Sequence, residues 1–122
     1  MAESLFGSGF ALARVALDAA TMRHETIAAN IANINTEGYT PLKVGFEEYL
    51  DRADIARADW SSTRHAVRPV VEPDFSVAGI SPQMALSTEI VKLNTNTIQY
   101  QALVKAMSRA ASVLQIAISE GK

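Results

Sequence analysis

Apolar side chains recur at alternating steps of three and four residues in the C-terminal part of the chain. The stripe comprises Leu86, Ile90, Leu93, Thr97, Tyr100, Val104, Met107, Ala111, Leu114 and Ile118. This spacing is typical of an α-helix that pairs with another helix along an a/d seam. Ser81 and Pro82 precede the stripe and suit an N-cap and a first helical position. The pattern therefore predicts a helix that begins near residue 82.

A second stripe with the same spacing lies in the N-terminal part of the chain. It comprises Leu12, Val15, Ala19, Met22, Thr26 and Ala29. Glycine and proline, the strongest interior helix breakers, are absent from Phe10 to Glu37 and from Gln83 to Glu120. We predict a mainly α fold whose long N- and C-terminal helices pair as an antiparallel coiled coil. The expected pairing seam is Leu12, Val15, Met22, Ile90, Leu93, Tyr100, Val104, Met107, Leu114 and Ile118.

The segment between the two helices has a different composition. It contains three of the four prolines, and the fourth, Pro82, follows it directly. We therefore divide the chain into an N-terminal helix over 1–40, a variable segment over 41–81 and a C-terminal helix over 82–122. The variable segment is expected to be irregular or weakly β, exposed and the least ordered part, although residues 46–58 can form a short helix.

Charged side chains are distributed unevenly. Residues 41–82 hold twelve, whereas residues 1–40 and 83–122 hold six each. A solvated helix face is usually rich in lysine and glutamate, but these two helices carry Thr, Asn, Ser, Gln and Ala outside their seams. This composition favours helix surfaces that meet other subunits over a simple solvated bundle.

Net charge and cysteine content exclude several classes of function. The formal charge of −2 gives no electrostatic basis for binding nucleic acid or an anionic membrane. The absence of cysteine excludes disulfides and thiol chemistry. No apolar run approaches the roughly 20 residues that cross a bilayer, so no transmembrane segment is expected. The first residues lack a basic region before an apolar stretch, so we expect no cleaved secretory signal.

Residues with catalytic or metal-binding potential are isolated. His24 and Glu25 resemble the start of a zinc-protease helix, but Ala28 stands where the second histidine is needed. His65 has no ligand set of suitable spacing, and Asp51 and Asp54 lie in a stretch of mixed charge. We expect no catalytic residues, no metal and no cofactor.

The first helix is followed by a stop signal, "ANIANINTEGYTP". A left-handed Gly38 as the C′ residue would make Glu37 the C-cap and bring Tyr39 against Ile34 in a Schellman motif. Asn30 and Asn33 are not explained by this ending. Their amides both donate and accept hydrogen bonds, so they are suited to hold a turn of the chain or the backbone of a neighbouring subunit.

The same residues resemble the N-terminal signature of the bacterial flagellar axial family, the rod and hook proteins. With Arg23 upstream, the matching positions are Asn30, Ala32, Asn33, Thr36, Gly38 and Tyr39. Glu37 stands where the family commonly has proline, and this change should loosen the turn. Phe46, which follows Tyr39 by seven residues, and the segment from Asn96 to Ser108 are similar to proximal rod subunits of the family.

The resemblance implies a structural role. A proximal rod subunit is expected to polymerise helically with itself and other rod proteins into the drive shaft that transmits torque and encloses the export channel. Its further partners would be the MS-ring adaptor and the flagellar type III export gate at the rod base. It would reach the periplasmic rod through the type III system without a cleaved signal. The alternatives are the sister proximal rod protein, another axial component, or a small helical export adaptor or chaperone.

Overall fold

A computed structural model describes residues 2–52 and 67–121. Its elements are α1 (Ala2–Ala32), β1 (Leu42–Gly45), α2 (Glu47–Arg52), β2 (Val70–Pro73), a 3₁₀ turn (Phe75–Val77) and α3 (Pro82–Glu120). The fold is therefore mainly helical, as predicted, with one small two-stranded sheet between the long helices.

The start of α3 follows the predicted capping pattern. Ser81 is in an extended conformation, and its hydroxyl oxygen accepts a hydrogen bond from the backbone N–H of Met84 at 3.2 Å. Pro82 occupies the first turn, where its missing N–H costs nothing. The prediction for this boundary is confirmed.

The end of α1 differs from the Schellman ending that we expected. The helix stops at Ala32, about one turn earlier. Asn33 N–H still donates to Ala29 O, at 3.1 Å, but Ile34 N–H donates to Ile31 O at 3.4 Å, a step of three residues instead of four, so the α-helical hydrogen bonds end there. Thr36 N–H then donates to Asn33 O at 2.9 Å. The Schellman ending was therefore wrong, since its hydrogen bonds are replaced by these, whereas the packing of Tyr39 against Ile34 stays a prediction.

Gly38 is left-handed, as predicted, but in a different turn. Its φ is 79°, and Tyr39 N–H donates to Thr36 O at 3.2 Å. These features place Gly38 at the third position of a β-turn from Thr36 to Tyr39, which has type II geometry at that residue. Glu37 occupies the second position, where such turns favour proline. The turn redirects the chain from α1 into β1.

The two strands pair antiparallel with a defined register. The pair is called here the hairpin, although α2 lies between the strands in the chain. Leu42 pairs with Pro73 and Val44 pairs with Val71. A further backbone bond from Asp74 N–H to Pro41 O, at 2.8 Å, extends the pairing by one step. The hairpin thereby brings Asp74 next to the start of β1.

The middle of the chain contributes to the core, which contradicts our expectation that it is exposed. Ala19, Phe46 and Val67 are each at least 97% buried and form one cluster. Leu12, Val15, Ala16, Tyr49 and Leu50 pack against it. A phenylalanine directly after β1 can reach α1 because the turn has already reversed the chain, and burying its ring contributes roughly 2 kcal/mol.

The short helix predicted over 46–58 begins as α2, and residues 53–58 lie outside the described residues. Asp54 and His65 also lie outside them. The C-terminal helix begins at the predicted residue, whereas the segment 1–40 contains both α1 and the turn that follows it. The variable segment 41–81 contains the hairpin and α2.

Two contacts show that α1 and α3 are antiparallel. Asn30 contacts Glu89, whereas Ala20 contacts Asn96. The antiparallel coiled-coil seam itself is not confirmed. Leu93, Met107 and Leu114 are half-buried, but Ile90, Tyr100, Val104 and Ile118 are 43–55% exposed. Leu12 and Val15 pack on the Phe46 cluster, and Met22 is half-buried.

Candidate functional site

The side chain of Asn30 is the centre of a buried polar junction where α1, the turn and α3 meet. Its Oδ1 accepts from the Tyr39 hydroxyl and from the backbone N–H of Leu42, both at 2.9 Å. Its Nδ2 donates to the backbone oxygen of Leu42 at 2.8 Å and to Glu89 Oε2 at 3.3 Å. The residue is 98% buried, and all four hydrogen-bonding positions of its amide are used.

This geometry decides what Asn30 does within the chain. Its amide binds the N–H and the C=O of Leu42 in the way a neighbouring strand would, so it fixes the first residue of β1 against α1. Neither a carboxylate nor an apolar side chain can both donate to and accept from one peptide group. Asn30 therefore holds a turn of its own chain, which was one of the two roles that we considered.

Asn33 and Thr36 secure the turn that follows α1. Asn33 Nδ2 donates to Ala29 O at 2.8 Å, and Asn33 Oδ1 accepts from the Thr36 hydroxyl at 3.2 Å. Ala32, the last residue of α1, is exposed. The motif residues thus divide into a hydrogen-bonded pair, buried Asn30 with half-buried Tyr39, and residues in or next to the turn.

A chain of charged groups continues from the junction. Glu89 and Asp74 are 98% and 96% buried, and Lys92 contacts both, at 3.3 Å and 3.1 Å. Asp74 also accepts from the backbone N–H and the hydroxyl of Ser76. One lysine therefore partly neutralises two buried carboxylates and connects α3 to the end of the hairpin.

The environment of this chain shifts several pKa values. Burial, followed by the nearby Glu89 charge, raises the pKa of Tyr39. Burial acts to raise the pKa of Asp74, but hydrogen bonds from Ser76 and Lys92 outweigh it and leave that pKa below its usual range. Burial likewise opposes the charge of Lys92, and its two carboxylate partners still raise its pKa. Asp74 and Lys92 therefore both carry their charges at neutral pH.

A second ion pair holds α2 against α1. Both terminal guanidinium nitrogens of Arg23, Nη1 and Nη2, donate to the carboxylate of Glu47. Nη2 also donates to the backbone oxygen of Val44 at 3.2 Å. Hydrogen bonding from Arg23 lowers the pKa of Glu47. The contact joins α1, the end of β1 and the first residue of α2, next to the Phe46 core.

Asn96 makes the other polar contact between the long helices. It is 96% buried, and its Nδ2 donates to the backbone oxygen of Ala20 at 2.8 Å. Its Oδ1 has no hydrogen-bond partner in the part of the chain that the structure describes. Asn96 and Glu89 are seven residues apart on the face of α3 that meets α1.

Sequence reasoning found the turn but missed the partners on α3. An apolar seam was expected there, yet Glu89 and Asn96 are the most buried residues of the helix. The available signal was their seven-residue spacing in a helix that is otherwise poor in charge. Polar residues at that spacing indicate hydrogen bonding across a helix interface, but a count of apolar positions ignores them.

The arrangement has little to offer for chemistry. Among residues 2–52 and 67–121, no cluster of three His, Asp or Glu side chains could hold a metal ion. His24 is exposed. The buried ionisable groups are engaged with one another or with backbone.

The surface of α3 is its other distinctive feature. Large apolar side chains that are more than half exposed include Met84, Val91, Ile98, Val113, Ile116 and Ile118. A soluble monomer rarely displays so long an apolar surface unless that surface binds something. By length and mean hydropathy α3 also meets the criterion for a membrane-spanning helix, contrary to our count of apolar runs. The criterion rests on length and composition alone, and the core helix of a soluble protein also meets it.

A hydrogen-bonded junction at one end of a helix pair and exposed apolar helix faces define a helical structural subunit. Comparison with known proteins identifies its family. Residues 11–40, which include the Asn30 motif, match the model of the family "Flagella basal body rod protein". The chain is also 30% identical over 128 aligned positions to the flagellar basal body rod protein FlgB of Bacillus subtilis (strain 168). That alignment covers 98% of this chain and 99% of the relative. No solved structure matches the chain.

The chain belongs to the flagellar basal body rod protein family. It is a structural protein of the bacterial flagellum, and its place is the rod of the basal body.

Proposed function

We propose that this chain is a proximal rod subunit that polymerises helically with itself and with other rod proteins. The observation that carries the proposal is the exposed apolar surface of α3, where Val91 and Ile98 are 63% and 66% exposed. Burial of such side chains between subunits contributes roughly 25 cal/mol per Å². The assembled shaft would transmit torque and enclose the export channel.

In this proposal, the antiparallel pairing of α1 and α3 becomes a continuous coiled coil in the rod. The seam residues that are partly exposed in the single chain, such as Tyr100 and Val104, then gain cover from neighbours. Subunit contacts supply the free energy that orders the outer helix turns. The isolated chain should therefore have less helix than the assembled one.

The same proposal assigns the remaining partners. The chain is exported through the flagellar type III gate without a cleaved signal and then meets the MS-ring adaptor at the base of the rod, in the periplasm. A long, charge-poor helix pair with a small middle segment presents no large domain to unfold before export.

The test is a deletion strain complemented with a tagged copy of the chain. We expect the deletion to abolish rod assembly and swimming, and the tag to label the innermost rod layer of purified basal bodies. A label in a different rod layer would favour the sister proximal rod protein or another axial component. A complete rod in the deletion strain would overturn the structural role and favour an export adaptor.

A further inference from the structure

The face of α3 opposite α1 carries a regular stripe, called here the outer stripe: Met84, Val91, Ile98, Lys105, Arg109 and Ile116. Because Glu89 and Asn96 face α1, residues half a helical turn away from them point in the opposite direction. The four apolar members are 57–66% exposed. Nothing within the described part of the chain covers them.

The charged members of the outer stripe are both basic. Between Leu93 and Ser119, Lys105 and Arg109 are the only charged residues, and both are exposed. They lie four residues apart, with Ile98 before them and Ile116 after them. A surface that binds the outer stripe must combine acidic groups with small side chains on which apolar side chains can pack.

The exposed face of α1 has those properties. This outer face comprises Arg14, Asp18, Thr21, Glu25, Ala28 and Ala32, which are spaced at steps of three and four and are all exposed. Its formal charge is −1, and its small residues allow a second helix to approach closely. The large side chains of the outer stripe would fit above the small side chains of this face.

We infer that the outer stripe of α3 docks on the outer face of α1 of a second copy of this chain, so that Lys105 and Arg109 lie against Asp18 and Glu25. A symmetric contact between two outer stripes centred on the basic pair would place like charges together. A contact from α3 to α1 is head-to-tail, so it can propagate into a filament. This inference rests on the proposed function, since it names the surfaces through which copies join.

Charge reversal tests the contact. We expect Lys105→Glu with Arg109→Glu to raise the concentration for half-maximal self-association by about tenfold or more, because acidic groups then face acidic groups. Asp18→Lys with Glu25→Lys should do the same. Combining all four substitutions in one chain, or mixing the two double variants, should restore association measured by sedimentation velocity at low salt.

The matched control is Glu37→Lys with Glu48→Lys, which changes the net charge as much as the α1 reversal does. Both control residues are exposed and lie off the outer face. Their reversal should leave association within about twofold, since charges outside a contact are screened. Equal losses from the control pair, or no rescue by the fourfold variant, would overturn the inference while leaving the rod role intact.

A covalent test uses the absence of cysteine from the chain. Ala28→Cys lies one turn beyond Glu25, and its partner on the outer side of α3 is Ala102→Cys if the docked helices are antiparallel or Ser112→Cys if they are parallel; all three positions are exposed. Oxidation of assembled protein should give a ladder of covalent oligomers with one of these two pairs, and each single variant should give no ladder. Assembly of both double variants without a ladder would contradict the contact, and a wild-type chain that never associates would count against the proposed function as well.

Discussion

The Asn30 junction and the outer stripe of α3 differ in where their side chains find partners. At the junction, a 98%-buried amide has every hydrogen bond satisfied within the chain. Along the outer stripe, Ile98 and its apolar neighbours are exposed and have no partner among residues 2–52 and 67–121. Hydrogen bonds of fixed geometry specify one arrangement, whereas apolar surface gives association energy with little direction. The junction therefore sets the register of the subunit, and the stripe is left for its neighbours.

The largest expected effect comes from breaking the junction with Asn30→Asp. The new carboxylate would face Glu89 Oε2 and the backbone oxygen of Leu42, and both former hydrogen bonds from Nδ2 would become repulsive. We expect a loss of about 3 kcal/mol or more in the free energy of unfolding, measured by urea titration with far-UV circular dichroism.

The matched control for this substitution is Asn35→Asp, at an exposed position one turn beyond α1. Its effect should stay within about 0.5 kcal/mol. Similar losses in the two variants would mean that Asn30 does not organise the fold.

The pH dependence of stability probes the charged extension of the junction. The pKa values of Asp74 and Glu47 are lowered, so the stability they provide is present above the usual carboxylate range and is lost as pH falls below about 4. The pKa values of Tyr39 and Lys92 are raised, so their contribution is present at neutral pH and is lost as pH rises above about 10.

Urea midpoints from pH 3 to pH 11 should therefore form a plateau that falls at both ends. Asp74→Asn should lower the plateau by about 1–2 kcal/mol, since Lys92 loses a buried partner, and should make the acid limb shallower. An acid limb of unchanged steepness in that variant would show that Asp74 is not ionised in the native state.

The turn between the two regions should respond to Gly38→Val. A β-branched residue at φ 79° is strained even though the space around Gly38 is open, so we expect a loss of about 1–2 kcal/mol and no rod assembly. Gly7→Ala, in α1 with equally open space, should stabilise the chain by about 0.5–1 kcal/mol. Normal swimming of cells that carry Gly38→Val would show that rod assembly does not depend on the geometry of this turn.

The smallest expected effect is a gain from Glu37→Pro. The second position of a type II turn has φ near that of proline, and the N–H of Glu37 donates no hydrogen bond to any of the described residues. Reduced freedom of the unfolded chain should add about 0.4–1 kcal/mol to the free energy of unfolding. A loss of stability would mean that the turn has a different geometry at Glu37.

Sequence reasoning predicted what depends on local chemistry. The long helices, the Ser81 cap and the left-handed Gly38 follow from composition, spacing and the steric freedom of glycine. It failed where contacts link distant parts of the chain. Phe46 in the core and the hairpin that brings Asp74 to Lys92 depend on which segments meet, and no local pattern encodes that. The spacing of Glu89 and Asn96 indicates a polar helix interface, but it does not identify Asn30 as the partner of Glu89. The early stop of α1 was missed because the apolar spacing of Ile31 and Ile34 continues past the residue where the backbone hydrogen bonds change from a four-residue to a three-residue step.

The most direct test of the difference between the two regions is residue-resolved amide hydrogen exchange on the isolated chain and on the assembled rod. We expect the Leu42 amide, which donates to Asn30 Oδ1, to be protected from exchange in both states. Amides of α3 from Lys105 to Glu120 should exchange fast in the isolated chain and become protected by at least about a hundredfold on assembly. Equal protection of Leu42 and the end of α3 in the isolated chain, unchanged in the rod, would contradict these expectations.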